Sequence, residues 1–108
     1  EVDTAVRHNA PVLIVVANNG AWQIEVHDQT VTHGKVVGTQ LQFADHAAMA
    51  RAFGMHAERV ETEEQLKPAI ERALAKRPAL LDVVVTPEAV SSDANARARP
   101  IPTAHRKK

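Results

Sequence analysis

The chain has 108 residues, 44% of them apolar but only 3% aromatic, with no cysteine and a formal net charge of zero. That length supports one small domain. Its core must be built from Val, Leu, Ile and Ala, and the lack of cysteine excludes disulfides, thiolate metal sites and a thiol nucleophile. The zero charge conceals an asymmetry: all 13 acids lie at or before Asp93, whereas five of the 13 Lys and Arg follow it, so residues 1–93 carry −5 and residues 94–108 carry +5. An acidic body argues against a globular nucleic-acid binder, and the basic, Pro- and Ala-rich stretch 94–108 is expected to be a solvated, disordered tail. No apolar run reaches the length of a membrane span, and Glu1-Val2-Asp3 does not resemble a signal peptide. A cytoplasmic protein with no membrane partner is the expectation.

Val2, Ala5 and Val6 have helical spacing, and Asn9-Ala10-Pro11 stops that helix. With no N-cap before it, it has the look of the last turns of a longer helix. Val12 to Ala17 is apolar at every position, as expected of a strand covered on both faces in a parallel sheet. Asn18-Asn19-Gly20 follows, and then Trp22, Ile24 and Val26 alternate with Gln23, Glu25 and His27. Asn-Gly between apolar runs is a hairpin signal. An all-apolar strand, however, wants parallel neighbours, which a tight hairpin denies it, so a loop at the strand's carboxyl end is preferred.

Residues 28–42 hold two glycines and many polar residues and are expected to form a long loop, with a short extended piece at Lys35-Val36-Val37. Asp45 caps a helix whose apolar stripe is Ala48, Met49, Ala52 and Phe53, closed by Gly54 at the C′ position. His56 to Val60 is a short strand. Thr62 with Gln65 makes a capping box, and Leu66, Ala69, Ile70, Ala73 and Leu74 form the face of a second helix that Pro68 either delays or kinks. Ala79 to Val85 is a further strand with Asp82 inside it. Helices alternating with apolar strands give an α/β fold, part of a doubly wound parallel sheet with helices on both faces. Ligands of such sheets bind at the carboxyl ends of strands, where Asn18-Asn19-Gly20 lies.

Other chemistry is sparse. The six histidines form no HExxH and no close helical pair, and a convergence of His27, Asp28 and His33 is a weak pattern beside scattered surface histidines. Ser91-Ser92-Asp93 has no nucleophile-elbow context, and no glycine-rich phosphate loop is present. Glu25, taken by itself, is a solvated acid.

The string "AVRHNAPVLIVVANNGAWQIE" resembles the second half of the thiamine-diphosphate motif of the acetolactate synthase and 2-keto acid decarboxylase superfamily. The segment from "ADHAAMARAFGMHAERV" to "RPALLDVVVTPEAVSSDA" resembles the end of that family's C-terminal cofactor domain. The resemblance covers residues 1 to about 94 and implies an incomplete thiamine-diphosphate-binding fold over 1–93. It implies thiamine diphosphate and Mg2+ as cofactors. Asn19 would ligate the metal through its amide oxygen and Ala21 through its carbonyl, while Asn18 ties down the strand end. Gly20 belongs to the same loop, and members often have glycine where Ala21 stands. Trp22 and Ile24 would line the cofactor cleft, and Glu25 matches a position that is a catalytic acid in some decarboxylase relatives.

The implied activity is decarboxylation of a 2-keto acid with carboligation or release of the product, in a homo-oligomer with the cofactor at a subunit interface. The family's Gly-Asp-Gly half-motif and its pyrimidine-binding domain are not among these residues. The chain by itself is therefore expected to be inactive, and marginal, oligomeric or aggregation-prone. The alternative is a non-catalytic remnant or interaction module that binds no cofactor by itself.

Overall fold

The computed structural model describes residues 1–88, which form seven elements: α1 (Val2–Arg7), β1 (Leu13–Asn18), α2 (Gln23–His33), α3 (His46–Ala52), β2 (His56–Val60), α4 (Glu63–Ala75) and β3 (Ala79–Val84). The expected tail at 94–108 and Ser91-Ser92-Asp93 lie outside the described residues. The chain divides into two units, one made of Glu1–Asn19 with Phe43–Thr86, the other built on Gly20–Gln42.

The first unit is the α/β fold expected. Its three strands are parallel in the order β1-β3-β2, with Val16 and Arg59 in register on either side of Asp82. Alternation along the strands gives the sheet two apolar faces. On one, Ala5 of α1 and Ala47 and Ala50 of α3 pack with Met55, Ala57 and Leu80, joined by Ile14 and Val16. On the other, Ala69 and Ala73 of α4 pack with Val60, Ala79 and Leu81, joined by Leu13, Leu66 and Ile70. The buried positions of all three helices are alanines, and a side chain of one methyl lets each helix backbone lie close to the sheet.

Local signals set the element ends. Asp45 Oδ1 accepts from the Ala48 N–H at 2.7 Å, and Gln65 Oε1 accepts from the Glu61 and Thr62 N–H groups at 2.8 and 3.3 Å. Gly54 follows α3 at φ 84°, a left-handed conformation that glycine adopts without strain. Pro68 neither delays nor ends α4, which runs unbroken through it from Glu63.

Three expectations need correction. The stripe of α3 is not Ala48, Met49, Ala52 and Phe53: Ala47 and Ala50 are buried, while Met49 and Phe53 are about half exposed. The small residues face the sheet because bulkier ones would hold the helix away. Leu74 of α4 likewise faces outward. β1 is not covered on both faces. It pairs only with β3 among the described strands, and Val15 is 56% exposed. An exposed apolar edge strand favours self-association.

An ion-pair cluster joins α4 to β2. Arg72 Nη2 and Nε reach Glu58 at 2.6 and 3.0 Å, and His56 Nε2 lies 2.9 Å from Glu58 Oε1. The Arg72 hydrogen bonds hold the Glu58 carboxyl below its ordinary value of 4.5, against the opposing effect of burial.

Two outcomes follow. Val15→Thr keeps a β-branched residue and is expected to reduce self-association in light scattering while moving stability by less than about 1 kcal/mol; unchanged association would place the sticky surface elsewhere. Because the Glu58 pKa is depressed on folding, its contribution is present above the unfolded value and lost as pH falls through the folded one. Arg72→Gln should therefore flatten the acid limb of a stability-against-pH profile below about pH 5, and an unaltered limb would show that this cluster does not contribute.

Candidate cofactor site at the end of β1

The carboxyl end of β1 is held from several directions. Asn18 is its last residue and is only 5% exposed. Its Nδ2 donates to Ala44 O at 2.9 Å and to Asp82 Oδ1 at 2.9 Å, and its carbonyl accepts from the Val85 N–H at 3.0 Å. Asp82 is fully buried in the middle strand. Its second oxygen accepts from the His46 N–H at 3.1 Å and lies 3.5 Å from Arg59 Nη1. Arg59 in turn pairs with Glu61 at 3.0 Å and stacks over the Phe43 ring, 5.0 Å from its centroid. A buried charge is tolerated when it is paired and hydrogen-bonded, and this carboxylate has an amide, a backbone N–H and a guanidinium around it. Asn19, next in the chain, is half-buried.

Gly20, Ala21, Trp22, Ile24 and Glu25 belong to the second unit. Gly20 has φ 67°, so the left-handed turn out of the strand falls on a glycine, and Ala21 is not among the residues of positive φ. Ala21 forms an isolated antiparallel bridge with Gln40, flanked by Trp22 N–H to Thr39 O at 2.9 Å and Leu41 N–H to Gly20 O at 2.8 Å. Trp22 is the N-cap residue of α2, and Glu25 lies in its first turn. Trp22, Ile24 and Glu25 are all exposed, Ile24 at 71%.

The hairpin reading is thus excluded, since a helix follows the turn. The expected loop over residues 28–42 is corrected as well: α2 occupies its first part as far as His33, Gly34 ends the helix at φ 66°, and no strand forms at residues 35–37. Gln29 stitches the segment beyond the helix back onto it, accepting from the Val37 N–H at 2.8 Å and the Thr39 hydroxyl at 3.2 Å.

The donor types at this strand end suit a hard divalent cation. An asparagine amide and a backbone carbonyl are neutral oxygen ligands, and magnesium takes few protein groups when phosphates supply the rest. Among the described residues, no group of three His, Asp or Glu could hold a metal by itself, so His27, Asp28 and His33 form no site. A notch of about 230 Å³ on the α4 side is lined by Val60, Leu66 and Val83 together with Glu61, Thr62 and Glu63. No helix among the described residues is long and apolar enough to cross a membrane.

Residues 1–83 match the family described as "Thiamine pyrophosphate enzyme, C-terminal TPP binding domain". The chain belongs to this family. It is 39% identical over 89 residues to a probable acetolactate synthase of Mycobacterium bovis, and equally to an acetolactate synthase large subunit of Mycobacterium tuberculosis; the match takes in 81% of this chain and 16% of each relative. A sulfoacetaldehyde acetyltransferase of Castellaniella defragrans is 33% identical over 75 residues, 68% of this chain and 12% of that protein. The chain therefore spans about a sixth of the length of the two synthase relatives and less of the acetyltransferase. Its architecture is that of part of a thiamine pyrophosphate-binding domain, as the resemblance implied.

Sequence reasoning passed over Asp82, Arg59 and Ala44 as supports of the strand end. One signal was present: an acid inside an apolar strand needs partners, and an Asn at the end of a neighbouring parallel strand is a natural one. Asn18→Ala removes a donor from a buried carboxylate and is expected to cost about 2 kcal/mol in urea unfolding. A loss below about 0.5 kcal/mol would mean that solvent or a neighbour replaces the amide without penalty.

Proposed function

We propose that this chain is the cofactor-binding portion of a thiamine-diphosphate- and magnesium-dependent enzyme of the acetolactate synthase type. Family membership over residues 1–83 supports this, and the observation that carries it is the strand end itself. Asn18, buried and hydrogen-bonded, locks the end of β1, so that Asn19 leaves the sheet from a fixed point. In this reading the Asn19 amide oxygen and the Ala21 carbonyl would hold the divalent ion. Both are uncharged, so the ion keeps its charge for the phosphates. Gly20 supplies the left-handed turn between them.

Trp22 and Ile24, both exposed, present apolar surface to the cofactor and to whatever closes over it. Glu25, in the first turn of α2, faces the 2-keto acid and handles a proton at its carboxyl group. The bound cofactor supplies the electron sink for decarboxylation. The names of the relatives favour transfer to an acceptor over simple release. We place the enzyme in the cytoplasm, as a homo-oligomer with the cofactor at a subunit interface.

Thiamine diphosphate titrated with Mg2+ into the complete enzyme tests the metal assignment. Asn19→Ala should weaken cofactor binding about tenfold or more, and unchanged affinity would remove Asn19 from the metal site. Glu25→Gln should lower kcat while leaving cofactor affinity intact; a variant with full turnover would return Glu25 to the status of a surface acid.

A further inference from the structure

We propose that Asp82 is a positioning residue for the metal-bearing end of β1, acting through the side chain of Asn18. The proposal rests on the reading of Asn19 as a metal ligand.

A carboxylate only accepts hydrogen bonds. Against Asp82 Oδ1, the Asn18 amide must therefore present its nitrogen. That nitrogen's second hydrogen goes to Ala44 O, also at 2.9 Å. Both donors of the amide are committed to acceptors that cannot reverse roles, so its orientation is dictated rather than optional. The other oxygen of the same carboxylate receives the His46 N–H and faces Arg59. One fully buried group thus fixes the end of β1, the entry into α3 and the flank of β2 at once. The Val85 N–H bond to Asn18 O adds a backbone tie at the same residue.

Stability alone is a poor reason to put a charge there. Asp82 sits between Leu81 and Val83 in an otherwise apolar strand, and a well-packed apolar residue at a buried ion-pair position is often neutral or stabilising. What an apolar residue could not do is hold the Asn18 amide in one orientation beside Asn19. Supports of this kind, one step behind a ligand, govern metal affinity without touching the metal.

The test compares Asp82→Asn with Leu81→Ala, a core truncation on the opposite face of the same strand. In the 108-residue chain, hydrogen exchange is followed at two amides of the β1–β3 pair. Val85 donates to Asn18 O at the carboxyl end, and Ala79 donates to Val12 O at the other. Asp82→Asn is expected to lower protection at Val85 at least tenfold more than at Ala79, whereas Leu81→Ala lowers both alike. Asn18→Ala should show the same asymmetry, which keeps the test decisive if Asp82→Asn does not fold.

In the complete enzyme with thiamine diphosphate, Mn2+ binding read by electron paramagnetic resonance should weaken about tenfold in Asp82→Asn and stay unchanged in Leu81→Ala. Equal loss at both amides would show Asp82 to be an ordinary core residue and would overturn the proposal. If Asn19→Ala weakens Mn2+ binding but Asp82→Asn does not, Asp82 has no positioning role. If Asn19→Ala has no effect either, the metal-ligand reading has failed and this proposal falls with it.

Discussion

The first unit depends on a carboxylate buried in the middle of its sheet. Asp82 has no access to water, and every hydrogen bond it would make in solution must be replaced from the protein. The replacements come from residues far apart in sequence: Asn18, His46 and Arg59. Satisfying this one group therefore requires β1, β2, β3 and the start of α3 to meet in a single register. A one-residue slip of β1 against β3 would turn Asn18 to the other face and leave the carboxylate short of a donor. The network thus couples correct strand pairing to correct placement of the end of β1.

Around this polar point the two apolar faces are built economically. Alanines at Ala47, Ala50, Ala69 and Ala73 bring helices down onto Leu80 and Leu81, with hardly an aromatic residue involved. Larger apolar residues are left outside, notably Val15 on β1, Met49 and Phe53 around α3, and Ile24 and Val31 on α2. Contiguous exposed apolar surface marks interaction surfaces or aggregation liabilities.

Much of this was legible in the sequence, for identifiable reasons. The capping box at Thr62 and Gln65 and Gly54 after α3 are local signals that kept their meaning in the fold, whereas the unbroken apolar run of β1 marked a parallel strand but not one covered on both faces. The turn at Asn18-Asn19-Gly20 was settled by requiring β1 to have a parallel neighbour. Helix α2 was missed because it has no buried residue, so no apolar periodicity marks it. The stripe of α3 was misassigned because bulk is a poor guide where close approach selects alanine. The partners of Asp82 were passed over because, although an acid inside an apolar strand signals a need for them, which residue answers it depends on the pairing of β1 with β3 across 64 positions of sequence. Of the candidate site, the strand end and its glycine turn were readable from local pattern; the ligand roles came from resemblance.

The proposed role of the end of β1 is to carry the cofactor's divalent ion. It is tested most directly by the structure of the complete enzyme crystallised with thiamine diphosphate and Mn2+, with the metal located by its anomalous scattering. The peak is expected to contact the side-chain oxygen of Asn19 and the backbone carbonyl of Ala21. A diphosphate-bound peak with no contact to either residue would contradict it.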